Sequence, residues 1–291
     1  MESWTNATGS LATGFDATAS TKGVLRPEET EELANLRRDH PVAEDLQPYV
    51  ERYWSVRWNL TGQPPFRSEV LTHPSVNLSV ESGTHPRFGF AMPAALMHGV
   101  VTRRFTVDLV GAGRVTAVKF RPGGFRAFRG WLPARNSVTR MRPLPGIDPA
   151  YLVANVLAED DDAGRAAVLD SWLVPLAPEP EPAYVELLEL LARMMHDRSL
   201  VRVDDVAVGA GMSVRTVQRL FATYVGVGPK AVLARYRLQD AVAAIDAGEV
   251  DDLADLAASL GWFDQAHFAR DFRSVVGTTP SAYVRQARSS H

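Results

Sequence analysis

The sequence predicts an α+β protein: an N-terminal β-rich barrel or sandwich with flanking helices, followed by an all-α domain containing two helix-turn-helix motifs. Three observations carry this. Apolar residues alternate with a period of two from about Tyr49 to Phe120. Four prolines then fall in the eight residues from Pro175 to Pro182. Beyond them the pattern is helical and repeats at a spacing of about 50 residues.

The 291 residues are 46% hydrophobic, enough for about two domains with real cores. There is no cysteine, which excludes disulfides, zinc–thiolate sites, iron–sulfur clusters and thiol nucleophiles. No apolar run is long enough to span a bilayer. The N-terminus lacks the basic start and apolar stretch of a signal peptide, so a soluble cytoplasmic protein is expected. The formal charge of −3 hides four blocks: −5 over residues 1–45, +10 over 46–145, −7 over 146–183 and −1 over 184–291. The basic block either attracts an anion or packs against the acidic block that follows it.

Residues 1–25 read as a flexible tail, and Pro27 to Leu33 as the start of a short helix with acids in its first turn. The β-rich domain is expected over 26–174. Val50, Trp54, Val56 and Trp58 are expected to share one strand face. Val76, Leu78 and Val80 alternate with Ser75, Asn77, Ser79 and Glu81. Phe105, Val107 and Leu109 form a further alternating run; a turn at Gly111-Ala112-Gly113 leads into Thr116, Val118 and Phe120. Arg121-Pro122-Gly123-Gly124 is a second tight turn. Residues 149–173 read as a helical pair. The Pro/Glu stretch 175–183 is an extended linker, and 184–291 is the helical domain.

Within that domain Asp205–Phe221 and Asp255–Phe272 are two copies of one pattern. Each has an alanine four residues before a glycine, then Arg-x-Phe, then a glycine five and a proline eight residues after the phenylalanine. A small residue lets a second helix cross closely, and the glycine ends the first helix in a left-handed conformation. Ser213 and Asp264 suit the N-cap of the next helix. This is helix, short glycine turn, helix, the architecture that places its second helix in a DNA major groove. The period buries Val217, Leu220 and Phe221 in the first copy and Phe268 and Phe272 in the second. Arg215, Thr216, Gln218 and Arg219, and Gln265, Ala266, His267 and Arg270, are left outside. Arginine and glutamine read guanine and adenine edges bidentately. Ala231–Asp246 would be one helix holding the two units at a fixed separation.

These residues resemble the DNA-binding domain of AraC/XylS-family transcription regulators. The likeness rests on Arg237-Leu238-x-x-Ala241, on Gly261-Trp262-x-Asp264-Gln265-x-His267-Phe268-x-Arg270-x-Phe272, and on Gly277-x-x-Pro280-x-x-Tyr283. It implies double-stranded DNA as partner, read in two adjacent major grooves, with base contacts at Arg215, Gln218, Arg219, Gln265, His267 and Arg270. Thr216 is added from its outward position. The sequence departs from the pattern in the short Ala266 and in the domain's net charge of −1. The β-rich part resembles, through Tyr53-Trp54 and Lys119 to Phe125, the N-terminal domain of one branch of these bacterial regulators. That resemblance implies a small-molecule effector domain and a homodimer.

Trp54 and Trp58 either fill the core or line an effector pocket. Arg121 either clamps an anionic effector or joins two strands by a salt bridge. His73, His85 and His98 form no His-x-His pair and read as solvent-exposed or capping histidines, so no metal is expected. Nor is a cofactor. No Gly-x-Ser-x-Gly, His-Glu-x-x-His or phosphate loop occurs, and residues 46–145 hold only Glu51, Glu69, Glu81 and Asp108 as carboxylates; an enzyme is not expected. The competing readings are a protein-interaction module on a degenerate helix-turn-helix scaffold, and an enzyme fused to a DNA module.

Overall fold

The computed structural model describes residues 24–25 and 34–289. The expected tail, most of it, and the expected helix at Pro27–Leu33 lie outside the described residues. Among the described residues the β-part has eight strands: β1 (Ala34–His40), β2 (Val50–Leu60), β3 (Phe66–Val70), β4 (Asn77–Gly83), β5 (Ala94–His98), β6 (Phe105–Leu109), β7 (Gly111–Phe120) and β8 (Val138–Arg140). Six form an antiparallel sheet in the order β1-β2-β7-β4-β5-β8, while β3 and β6 pair as a second, two-stranded sheet. Among the described residues the six-stranded sheet keeps two free edges, so the fold is sandwich-like and not a closed barrel.

One face of the large sheet is apolar. Tyr53, Val118, Leu78 and Met97 follow one another across β2, β7, β4 and β5, with Val80 and Ala95 beside them, all buried in the main core. Helices α2 (Pro149–Ala158) and α3 (Asp162–Leu173) cover this face with Leu152, Val156, Leu169 and Leu173. Asp170 ties the layer down, accepting hydrogen bonds from Tyr53 Oη at 2.6 Å and the Ala43 amide at 3.0 Å. Asp162 accepts from Ser55 Oγ at 2.8 Å. The acidic segment thus reaches the sheet chiefly through hydroxyl groups, not through the arginines that its charge suggested.

Two details of the strand pattern differ from expectation. A register irregularity between Val50 and Arg52 returns Val50 to the main core, away from Trp54, Val56 and Trp58. Gly111-Ala112-Gly113 is not a turn but the start of β7. Gly113 pairs with Trp58, and a Cβ there would lie 2.2 Å from the indole. Its role is to admit the ring. The Pro122-Gly123 turn runs straight into a short helix, α1 (Gly124–Arg129), that the sequence pattern did not announce.

The helical part comprises α4 (Pro182–His196), α5 (Val203–Gly209), α6 (Val214–Leu220) with a π-turn at Phe221–Val225, α7 (Pro229–Asp246), α8 (Leu253–Ser259), α9 (Gln265–Val276) and α10 (Pro280–Ser289). The Pro/Glu stretch before α4 is tethered: Pro178 O accepts from Tyr49 Oη at 2.7 Å, and Glu181 accepts from Tyr224 Oη at 2.5 Å. Burial first, then Glu179 and Glu181, pushes the Tyr49 phenol up to about 12. Tyr49 stacks on Tyr184 at 5.7 Å with the rings 4° from parallel, and Tyr184 Oη donates to Pro48 O at 2.6 Å. One hydrophobic core therefore runs from Leu46 in the β-part to Tyr236 in α7. A second core joins the far half of α7 to α8, α9 and α10, and takes in Leu25 and Leu71.

Gly113→Val is expected to destabilise the protein by about 1–3 kcal/mol by overpacking against Trp58. Gly209→Ala, where a Cβ meets nothing within 4 Å, is expected to be neutral or stabilising by up to about 1 kcal/mol. Urea unfolding of both variants checks this; equal midpoints would show that the Trp58 contact does not constrain β7.

Candidate functional site

Each helix-turn-helix unit is built by the same local rules. Ala207 and Ala257 are buried at 2% and 1% exposure where the paired helices cross. Gly211 and Gly261 take φ of 66° and 78°. Ser213 Oγ accepts from the Thr216 amide at 3.1 Å, and Asp264 Oδ1 from the His267 amide at 2.6 Å. Val217, Phe221, Phe268 and Phe272 are fully buried, which sets the opposite faces of α6 and α9 outward.

On α6, Arg215, Gln218 and Arg219 are exposed and Thr216 is half-buried, its hydroxyl 2.9 Å from Ser213 Oγ. On α9, Gln265 and Arg270 are exposed, while His267 Nε2 lies 3.3 Å from Asp271 Oδ2. Among the described residues Arg215, Gln218, Arg219, Gln265 and Arg270 form no side-chain hydrogen bond or ion pair. They are outward donors with unspent capacity.

The Arg237-Leu238-x-x-Ala241 signature has a structural reason. Leu238 and Ala241 are buried in the second core. Arg237 stacks on Trp262 at 3.9 Å and donates to Leu260 O at 2.5 Å, so α7 caps α8 and clamps the turn before α9. Trp262 Nε1 in turn donates to Asp271 at 3.0 Å.

The two units are seated differently. The first shares the main core with the β-part. The second meets it at a few points: the Arg104 amide donates to Val275 O at 3.0 Å and Gln239 Nε2 to Leu71 O at 2.6 Å. In the first half of α7, Arg235 donates to Arg103 O at 3.3 Å. Burial lowers the Arg235 guanidinium to about 10.

Trp54 and Trp58 do lie together, with Val56, on the second face of the large sheet. Arg121 is not with them; its Nε donates to Gln47 O at 2.6 Å, beside the Tyr49–Tyr184 stack. Of the three histidines expected to be solvent-exposed or capping, two are corrected as well. His73 and His98 are mostly shielded, with side chains 15% and 12% exposed, 3.9 Å from Glu51 and 3.3 Å from Glu81, while His85 is exposed beside Thr84. All four carboxylates of residues 46–145 face cations of the same segment: Glu51 with Lys119 and Arg52, Glu69 with Arg104, Glu81 with Arg87, and Asp108 with Arg67. Sequence reasoning missed the Glu81–Arg87–His98–Ser79 group, because alternation of Ser79 and Glu81 with valine and leucine reads as a solvated face.

Residues 206–286 match a family model described as a helix-turn-helix domain, and residues 38–138 one described as a domain of unknown function (DUF6597). The repeated units on a shared helix define the C-terminal part as a paired helix-turn-helix domain. The domain is similar over this span to helix-turn-helix domains of transcription regulators. Among curated relatives, the transcriptional activator NphR of a Rhodococcus species is 33% identical over 97 residues, 33% of this chain and 28% of that protein. The HTH-type transcriptional regulator MtrA of Neisseria gonorrhoeae is 22% identical over 154 residues, 53% of this chain and 48% of that one. The matches thus span less than half of either relative. Among solved structures, ToxT from Vibrio cholerae is 12% identical over 80% of this chain and 97% of that one, with a TM-score of 0.42. The DNA-binding domain of AdpA, solved with a target DNA, is 26% identical over 36% of this chain and 94% of that one, with a TM-score of 0.33. No helix among the described residues is long and apolar enough to cross a membrane.

Acid is expected to weaken the β-domain in two stages. Burial, then the Lys119 charge, holds the His73 imidazole below its usual 6.5, so the unfolded chain takes up that proton first. Burial alone would raise Glu51 and Glu81, but Lys119 and His73 at the first, and His98 and Arg87 at the second, hold both below the usual 4.5. Their stabilisation is present above that value and is lost as the pH falls through the folded-state pKa. The melting temperature should fall below about pH 6.5 and more steeply below about pH 4.5. His73→Gln should remove the first stage only. A melting temperature flat from neutral pH into the carboxylate range would contradict the account.

Proposed function

We propose that the chain is a sequence-specific DNA-binding transcription regulator of the AraC/XylS type, controlled by a small molecule bound in its β-domain. One observation carries the reading: two helix-turn-helix units present unengaged Arg and Gln side chains from the first two turns of their second helices, both fixed on one rigid helix. At 18 residues, α7 is about 27 Å long, which suits two successive major-groove faces about 34 Å apart. We assign base and groove contacts to Arg215, Thr216, Gln218 and Arg219 in one groove and to Gln265, His267 and Arg270 in the next. His267 would be held by Asp271 rather than free. The protein would act in the cytoplasm as a homodimer, the second copy adding affinity that a domain of net charge −1 lacks alone. Trp54 and Trp58 belong to the effector site in this reading, and Arg121 to the joint between the β-domain and α4.

A second reading, a protein-interaction module on a degenerate helix-turn-helix scaffold, is favoured by that same charge. Selection of genomic fragments by the full-length protein at near-physiological salt separates the two. The regulator should enrich a focused site spanning two major-groove steps. Arg219→Ala with Arg270→Ala should weaken it by at least about 30-fold, at about 1–3 kcal/mol for each lost base contact. Equal enrichment by both proteins, or none, would rule out base reading by these helices. Light scattering that finds only a 31.9 kDa species at micromolar concentration would remove the dimer.

A further inference from the structure

The two faces of the large sheet are chemically unlike. Opposite the apolar face, strand register places Trp54, Ala117, Ser79 and Leu96 in one row, and Val56, Val115, Glu81 and Ala94 in the next. His98 lies two residues beyond Leu96 on the same face. Ser79 and Glu81 are each 1% exposed and His98 is nearly buried, although a sandwich interior gains nothing from burying such groups unpaired. The β3–β6 sheet covers this face incompletely: Trp54, Val56, Phe66, Phe105 and Val107 are only half-buried.

Arg87 packs against this face through Trp58 and Glu81. Its side chain is 8% exposed; its guanidinium carbon lies 4.7 Å from the Trp58 ring centre and 5.5 Å from that of Phe88, and its Nε is bonded to Glu81. Its Nη1 is buried with no hydrogen-bond partner among the described residues. Phe88, His98 and Phe105 pack on one another with ring centres 5.4–5.9 Å apart. Together they make an aromatic box with one unmatched donor. The Arg87–Glu81 pair is already neutral, so a charged guest would leave an uncompensated charge inside the fold.

We propose that the space between the two sheets binds an uncharged, planar aromatic molecule bearing a hydrogen-bond acceptor, received by Arg87 Nη1 and flanked by Trp58, Phe88 and Phe105. This rests on the reading of the β-domain as the effector domain and names its ligand class. The site also adjoins the second DNA-reading unit. Phe105 follows Arg104, which pairs with Glu69 at 2.8 Å and whose amide holds Val275 O at the end of α9.

The test uses the full-length protein without DNA, titrated with benzamide, benzoate and cyclohexanecarboxamide and read by tryptophan fluorescence and calorimetry. Benzamide should bind saturably at roughly millimolar concentration, as befits so small a probe. The other two should bind at least about tenfold more weakly. Arg87→Met should weaken benzamide binding by about tenfold or more. Because that change removes Glu81's arginine partner, Phe105→Leu provides an independent variant that leaves the ion pair intact and should also weaken binding. Absence of saturable binding, equal binding of cyclohexanecarboxamide, tighter binding of benzoate, or unchanged binding in both variants overturns the proposal. A protein that selects DNA but ignores benzamide fails this proposal alone. One that binds benzamide but selects no DNA fails the regulator reading instead.

Discussion

The structure depends on the burial of α7 at both ends by different cores. Val232, Leu233 and Tyr236 in its first half belong to the core shared with the β-domain and the first helix-turn-helix unit. Leu238, Ala241, Val242 and Ile245 in its second half belong to the core of the second unit. A helix held this way cannot rotate one half without the other, so the spacing and phase of α6 and α9 are fixed by backbone geometry. Arg237, at the junction of the two halves, clamps the Trp262 turn to the same helix.

That constraint turns a covalent boundary into a packing continuum. The proline-rich segment before α4 has the composition of a spacer, yet its backbone and its Glu181 serve as acceptors for Tyr49 and Tyr224. The aromatic cluster of Tyr49, Tyr184 and Tyr224 then fuses the first unit to the β-domain. The second unit is attached to the β-domain by a few hydrogen bonds and by Leu25 and Leu71. Of the two, it is the less firmly seated on that domain. Residues 103–105 carry both part of that attachment and one wall of the aromatic box.

The β-domain divides its labour by face. The apolar face supplies the burial that stabilises the fold. The other face holds Glu51, Ser79, Glu81 and His98 away from water at a cost that only paired charges and hydrogen bonds offset. Such an arrangement is poor as pure scaffolding and well suited to recognising a polar group.

The sequence determined every feature of the helical domain that rests on local rules. Helix spacing, the left-handed glycines, the Ser213 and Asp264 caps, the buried Phe221, Phe268 and Phe272 and the outward arginines all follow from a period of 3.6 and from side-chain chemistry within a few residues. It also determined the alternating strands of the β-domain, and the pairing of Trp54 with Trp58. Only the tertiary structure decided which side of each strand met which layer. Ser79 and Glu81 alternate with valine and leucine just as solvated residues do, and they become interior where Arg87 and His98 close on them. Likewise Gly113 becomes a seat for an indole rather than a turn, and Arg121 and Tyr49 become parts of an interdomain joint. Those roles rest on contacts between residues up to 136 positions apart; periodicity records which face is apolar along one segment, but not which distant segment covers the other.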